Sequence, residues 1–563
     1  MAAQVFLLFV EGFAMEVLRV RRLTERIASL GEAAPGTEAE ARVARVAREM
    51  LERIGLSVQE QSFACSSWYE ESLALYIDGR VVEAVAMPPS PSRYVEGELV
   101  YAGEGVNIST SGLEGRVALV GMTSEDPDYV AAQYALCAQA GASAVVFYDF
   151  VPHVLRRIVV GIFTSYADEP GLPPPIPAVS IRREDAQRLL TGKHYVQLEV
   201  KTRYSEVSSS ANLVAFGSGE ARVLVTAHLD RWLAGTADDA VGVALVCSLA
   251  EELNNLRGVA FALFGAEEYG APHFNPCYWL WGSRNFVKRL ASTGELDELV
   301  AIVNLDVVAR RPLTISASGL EFREALKSVL GPSVEYELDS PYFDSYSFSS
   351  AGVAAMTIHS LWRYVDFYHT DHDSPASIDW GAVAEAKGLA EMIVRELLQR
   401  GHRLFKYDAW RTELINRLEY ASKYASPPKK LLDLVYSFEV DERIARELRR
   451  SAIEVVREGE WYEPGLLRSH VFPELLVLED LELIEKLESE GLDHALLKRL
   501  KHKWSIGVVR KLPSIPLYYV AQQLNGERLS EYLALMKPIA RAWVEESYRM
   551  LTERLEKLLS GPR

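Results

Sequence analysis

Basic residues are in deficit in this 563-residue chain: 60 Lys and Arg stand against 78 Asp and Glu, a formal net charge of −18 at pH 7. A surface of that sign repels phosphate backbones, which excludes nucleic acid as a partner. Cysteine is scarce as well. Cys65, Cys137, Cys247 and Cys277 lie far apart without the paired spacing of a thiolate metal site, and read as reduced core thiols. No later apolar run reaches the roughly 18 residues of a membrane span. Internal repeats and low-complexity tracts are also missing. The opening stretch Ala2–Val10 is apolar but lacks a basic n-region and ends at Glu11. A cytoplasmic protein is therefore expected, with secretion or membrane association as the alternative and Met15 as an alternative start. What is abundant is apolar character, 49% of residues. That supports packed cores, and at roughly 150 residues per domain it predicts three or four domains.

Texture divides the chain into four parts. Residues 1–65 predict two helices, the second with Val43, Val46, Ala47, Met50, Leu51 and Ile54 at helical spacing, followed by an edge strand over 56–63. Residues 66–202 predict a small α+β insert, with strands at 73–77, 97–101, 117–120, 144–148 and 178–181 around a helix over 128–141. From 203 to 400 strands alternate with helices: strands at 213–216, 223–227, 259–264, 301–305 and 353–358, helices at 240–255, 283–291, 321–329 and 382–400. Such alternation is the mark of an α/β domain. Residues 401–563 predict helices only, near 406–424, 428–436, 441–458, 473–490, 493–503, 515–523 and 527–559.

The third part carries the chemistry. Val223-Leu224-Val225 reads as a buried parallel strand, so Ala227-His228-Leu229-Asp230 leaves its carboxyl end, and Gly235-Thr236-Ala237-Asp238-Asp239 opens the next helix. After the strand at 259–264 come Gly265-Ala266-Glu267-Glu268; after 301–305 comes Asp306; after 353–358 comes Phe367-Tyr368-His369-Thr370. Ligands of open α/β sheets gather at that rim. These are also the side chains that a pair of zinc ions about 3.5–4 Å apart requires: a bridging carboxylate, one carboxylate and one imidazole per ion, and a free carboxylate to take a proton from water. Taken singly, Asp238 and Asp239 read as helix N-caps and Glu267-Glu268 as a solvated turn. Their convergence in one order at successive strand ends favours the metal site.

That order, His-x-Asp, Gly-x-x-Asp-Asp, Glu-Glu, Asn-x-Asp and Tyr-His-Thr, resembles the co-catalytic zinc aminopeptidase family, which also contains glutamate carboxypeptidase, glutaminyl cyclase and the transferrin receptor ectodomain. The resemblance implies a three-layer α/β/α domain on a mostly parallel mixed sheet over 203–400. It implies His228, Asp238, Glu268, Asp306 and His369 as metal ligands, with Asp238 bridging two zinc or other divalent ions. Glu267 matches the family's general base, and Asp230 the carboxylate that orients His228. Phe343-Asp344-Ser345-Tyr346-Ser347-Phe348 with Ala351-Gly352-Val353 matches a further family element in part, Ser345 standing where the family has His and Ala354 where it has Pro.

Residues 66–202 resemble a protease-associated domain through Val95-Glu96-Gly97-Glu98-Leu99-Val100-Tyr101, Ala138-Gln139-Ala140-Gly141-Ala142 and Ile176-Pro177-Ala178-Val179-Ser180-Ile181. The helical tail occupies the position of the dimerisation domain in the carboxypeptidase and receptor branch, which implies a homodimer through residues 401–563. One departure stands out: the family passes quickly from Glu-Glu-x-Gly to Gly-Ser, whereas residues 271–281 intervene here before Gly282-Ser283. Phe274, Tyr278, Trp279 and Trp281 of that loop, with Tyr368, are expected to line a pocket for an apolar side chain, since flat rings bury much area at low entropy cost. The implied function is a metal-dependent exopeptidase, an aminopeptidase acting on short peptides. A carboxypeptidase with Arg310, Arg311 or Arg363 clamping a carboxylate, a glutaminyl cyclase, or a receptor-like binding protein are the alternatives; the last would be expected to have lost ligands, and none is lost here.

Overall fold

The computed structural model describes residues 17–560 apart from 106, 124–126, 162–173, 275, 277, 452–480, 483, 487 and 490–525. Expectations for the first 14 residues, for Cys277 and for the helices at 493–503 and 515–523 fall outside the described residues, as does most of 473–490. Contacts divide the chain into two compact units. The first comprises Met1–Ala317, Leu326–Phe348 and Val353–Leu404; the second comprises Ser318–Ala325, Ser349–Gly352 and Phe405–Arg563.

The first unit opens with a helix over 17–28 and a second, Glu38–Arg53, whose N-terminus is capped by the Thr37 hydroxyl. The apolar stripe expected from spacing is the buried face: Val43, Val46, Ala47 and Leu51 face inward, and Glu40 lies buried on the same face. Strands then follow as β1 (Ser57–Ile77), β2 (Arg80–Val81), β3 (Ala84–Ala86), β4 (Arg93–Glu104), β5 (Asn107–Ile108), β6 (Val117–Gly121), β7 (Ala144–Tyr148), β8 (Ala178–Ile181) and β9 (His194–Phe216). The rest are β10 (Ser218–His228), β11 (Arg257–Phe264), β12 (Ala301–Leu305), β13 (Thr314–Ala317), β14 (Glu335–Leu338) and β15 (Ala354–His359).

β1 and β9 join what sequence alone treats as separate modules. The two expected strands at 56–63 and 73–77 are one strand, and it pairs antiparallel with β9 from Ser57 opposite Phe216 to Ile77 opposite Val196. Bulges between Cys65 and Ser67 and between Glu70 and Ser72 break its register. At one end β9 pairs with β11; at the other it pairs with β4, which leads through β6, β7 and β8 to β3. The insert's sheet is therefore continuous with the main one, because two long strands run through both.

The main part of the sheet has the order β14-β13-β15-β12-β10-β11-β9. β15, β12, β10 and β11 run parallel, while β13 is antiparallel to β15 and β9 to β11. Residues of β12 and β15 are buried without exception, as expected for parallel strands covered on both faces. The helices Val241–Leu253 and Trp380–Arg400 pack on β10, β11 and β12. Phe261 and Phe264 of β11 are fully buried, and truncating either to Ala would cost about 3–5 kcal/mol. Sequence patterning misses β13 and β14: their residues Thr314–Ala317 and Glu335–Leu338 are too few to show a period.

The second unit contains the helices Asp408–Ala421, Lys429–Tyr436, Glu442–Ser451 and Gly526–Ser560, the last with Pro538 inside it. Its interior holds an ion pair without exposure, Arg449 Nε to Glu321 Oε1 at 2.7 Å, with the Trp410 indole also donating to Glu321. Buried charges persist only when paired and hydrogen-bonded, and here both are. Cys65, Cys137 and Cys247 are buried and free, and no helix among the described residues is long and apolar enough to cross a membrane.

Candidate metal centre

The residues singled out above sit where the parallel strands end. His228 closes β10, Glu267 and Glu268 follow β11 after Gly265-Ala266, Asp306 directly follows β12, and His369 lies in the loop after β15. Asp238 and Asp239 precede the helix Val241–Leu253.

Their polar atoms converge on two points. At one, His228 Nε2 stands 3.0 Å from Asp238 Oδ1 and 3.6 Å from Asp306 Oδ1. At the other, His369 Nε2 stands 3.0 Å from Asp238 Oδ2 and 3.1 Å from Glu268 Oε2. Asp238 thus offers one oxygen to each point. Ligand atoms on one tetrahedral zinc with ~2.0 Å bonds lie roughly 3.3 Å apart, so the spacing suits a cation at each. The chemistry of the donors agrees. His369 Nε2 and Glu268 Oε1 are buried without a hydrogen-bond partner, an arrangement of lone pairs around a common centre rather than of donors on acceptors.

Asp239 also approaches, its Oδ2 3.9 Å from His228 Nε2. Both its oxygens already accept backbone N–H groups, however, Oδ1 from Gly242 at 3.0 Å and Oδ2 from His228 at 3.1 Å. Of the adjacent pair, Asp238 faces the convergence and Asp239 caps the helix.

Charge balance points to cations too. Asp230, Asp238, Asp239, Glu267, Glu268, Asp306 and Asp344 are all buried within one mutually interacting cluster; among the described residues the His228 and His369 imidazoles offset it, with His359 acting on Asp306 and Arg231 on Asp230, so acids still outnumber cations. Burial drives the carboxyls of Asp239 and Glu267 well above the usual range and those of Glu268 and Asp344 to about 7, neighbouring carboxylates adding to the effect. Asp238 goes the other way: burial opposes its ionisation, but the His228 and His369 imidazoles beside its two oxygens outweigh it. For His369 burial favours the neutral ring, yet Glu268 and Asp238 lift it to about 10. A surplus of buried negative charge is what divalent ions offset.

Three acids hold these groups in place: Asp230, already singled out by the sequence, and Glu40 and Asp373, which were not. The Asp230 carboxylate accepts the N–H groups of Glu267 and Glu268, each at 2.9 Å. Sequence resemblance assigns that carboxylate to orienting His228; it stands 3.8 Å from Nδ1, with the Asp230 carbonyl nearer at 2.9 Å. Glu40 accepts from Gly36, Ser210 and Ala266, tying the Gly265-Ala266 turn to the N-terminal helix. Asp373 accepts from Ala237 N at 2.8 Å, Asp238 N at 3.3 Å and the Tyr364 hydroxyl at 2.7 Å, fixing the loop that carries Asp238. Both left a trace in the sequence: Glu40 is an acid on an apolar helical stripe, and Asp373 lies four residues beyond His369.

The aromatic loop splits into two groups. Phe274, Tyr278 and Trp281 pack on one another, with Phe274 and Tyr278 stacked at 4.4 Å and Arg284 over Tyr278 at 4.3 Å. The Trp281 indole donates to the Ala64 carbonyl. Trp279 instead packs with Tyr342 at 6.0 Å, and Tyr342 with Trp362 at 6.3 Å. Tyr368 stacks on the His369 ring at 3.8 Å. Of the arginines weighed for a carboxylate clamp, Arg311 pairs with Asp379 and Arg363 with Glu335, while Arg310 lies over Phe367.

Residues 212–394 match the model of peptidase family M28, and residues 95–189 match that of the PA domain. Among solved structures, the chain is similar to BSAP, a zinc aminopeptidase from Bacillus subtilis, with 21% identity and a TM-score of 0.52 over 68% of this chain and 95% of that one. It is also similar to a peptidase M28 precursor from Shewanella amazonensis, with 17% identity and a TM-score of 0.56 over 69% and 96%. At these identities the likeness concerns the fold. A search of curated proteins finds no match.

Proposed function

From the match of residues 212–394 to peptidase family M28 and of residues 95–189 to the PA domain, we propose that the chain is a two-zinc aminopeptidase that removes N-terminal residues from short peptides. The observation that carries this is the Asp238 carboxylate, whose two oxygens each stand 3.0 Å from a different imidazole. In this reading His228, Asp238 and Asp306 hold one ion and Asp238, Glu268 and His369 the other. Three protein ligands per ion leave a position open, the mark of a catalytic rather than a structural zinc site. The ions, when bound, supply Lewis acidity at the scissile carbonyl and lower the pKa of water towards neutrality.

The protein's own contribution then centres on Glu267. Its backbone is held on both sides, the N–H by Asp230 and the carbonyl by Leu280 N at 2.8 Å. Its buried carboxyl has a raised proton affinity, which suits a group that takes a proton from water and passes it to the leaving amine. The surplus of buried acid around the centre favours a cationic substrate terminus, and Arg311 and Arg363 are already paired with surface acids. Both features support a free α-amine over a free α-carboxylate as the recognised group. Hydrolysis of aminoacyl-arylamides, with and without chelator and beside N-blocked peptides of free carboxyl end, tests this. Chelator-sensitive release from free-amine substrates alone is expected, and cleavage of the N-blocked set alone would overturn it.

A further inference from the structure

The PA-matching segment reaches into the loop that bears His369. Arg156 lies within it, its guanidinium without exposure and paired with the equally buried Asp149, Nε to Oδ2 at 2.7 Å. Asp149 is anchored in turn, since its Oδ1 accepts Val151 N at 2.7 Å. From that support the Nη1 group donates to two carbonyl oxygens of the His369 loop, those of Val365 at 3.0 Å and Tyr368. Backbone bonds flank the side chain: Arg157 N donates to the His369 carbonyl at 2.9 Å, Asp371 N to the Leu155 carbonyl at 3.0 Å, and Arg156 forms an isolated bridge with Thr370. His369 itself has φ +58°, a left-handed conformation that a side chain with a Cβ adopts only where its surroundings impose it. Apart from turn bonds within the loop itself, to Tyr364, Phe367 and Asp373, the hydrogen bonds on the backbone of residues 368–371 come, among the described residues, from the PA-matching segment.

We propose that Arg156 is a positioning residue of the metal centre, through which the PA domain sets how firmly the Glu268–His369 half holds its ion. This rests on the reading of His369 as a ligand. A planar guanidinium can grip Asp149 with one edge and two carbonyls with another, a geometry no ammonium reproduces. With Arg156 removed, Asp149 keeps a buried, uncompensated charge and the Val365–Tyr368 carbonyls lose their donor. The left-handed turn at His369 then relaxes, and one imidazole leaves its place. Among the described residues the His228–Asp306 half makes no bond to this segment, and it keeps its geometry. Loss of a group behind a ligand typically weakens metal binding roughly ten- to a hundredfold.

The test compares the native chain with R156A, R156K and H369A, each loaded with zinc and then dialysed against rising chelator, with zinc per chain and thermal unfolding both measured. The native chain should hold two ions and H369A one. R156A should release one ion at roughly ten- to a hundredfold lower chelator concentration and hold the other as the native chain does, with R156K between. Retention of both ions by R156A as in the native chain overturns the proposal, as does loss of both in step with a lowered unfolding temperature, which would mark a merely structural residue. If R156A does not fold, R156K decides: early release of one ion supports the proposal and native-like retention contradicts it. Two ions retained by H369A would instead refute the ligand reading, whatever Arg156 does.

Discussion

The two halves of the candidate centre are built differently. His228 and Asp306 are the last residue of one parallel strand and the first residue after its neighbour, so the sheet's own hydrogen bonds place them. Glu268 and His369 come from a tight turn and a long loop, and each depends on a side chain from elsewhere: Asp230 for the turn, Arg156 for the loop. Asp238 joins the halves and is itself fixed by Asp373. The difference teaches that a sheet can present half of a metal site with little beyond the Asp239 carboxylate on the His228 N–H, while the other half needs buried charges that hold a turn and a loop.

The sharpest way to separate chemistry from scaffolding is Glu267→Gln. It should lower kcat by roughly 10²–10⁴ while zinc content of both halves stays native; near-normal turnover on an arylamide substrate would remove Glu267 from its role. Asp238→Asn should break the comparison by striking both halves together. Zinc affinity should fall by at least the ~100-fold seen at the upper end for loss of a supporting group, and a dialysed sample with unchanged stoichiometry would contradict a shared carboxylate. Asp230→Asn should sharpen it: the amide can accept only one of the two N–H groups, so the Glu268 half should weaken roughly tenfold while the His228 half, whose Nδ1 neighbour is the Asp230 carbonyl, holds. Equal weakening of both halves in competition titrations would count against the division. The smallest effect is expected at Trp279→Ala, a change of about tenfold or less in preference among apolar N-terminal residues. An unaltered ranking across a substrate panel would take Trp279 out of the pocket.

The strand-end half was the more legible in the sequence because the sheet places it. A β-branched run followed by His or Asp needs only periodicity and position to be read, and β10, β11, β12 and β15 lie where those patterns put them. The family's motif order supplied His369, which no local pattern distinguishes from His372. The supports were not legible, because Glu40, Asp149, Arg156 and Asp373 act through bonds between residues far apart in the chain, 226 positions in the case of Glu40 and Ala266. The insert's continuity with the main sheet was hidden for a related reason: the bulges in β1 interrupt its alternation, so that one strand reads as two. The family's motif order pointed to Asp238 rather than Asp239, but the physical reason, both Asp239 oxygens accepting backbone N–H groups, was not legible in the sequence.

Anomalous scattering at the zinc edge from crystals of the zinc-loaded protein tests the central claim most directly. Two peaks about 3.5–4 Å apart, one beside His228 and Asp306, one beside Glu268 and His369, with Asp238 between them, are the predicted result. A single peak, or peaks away from Asp238, would contradict it.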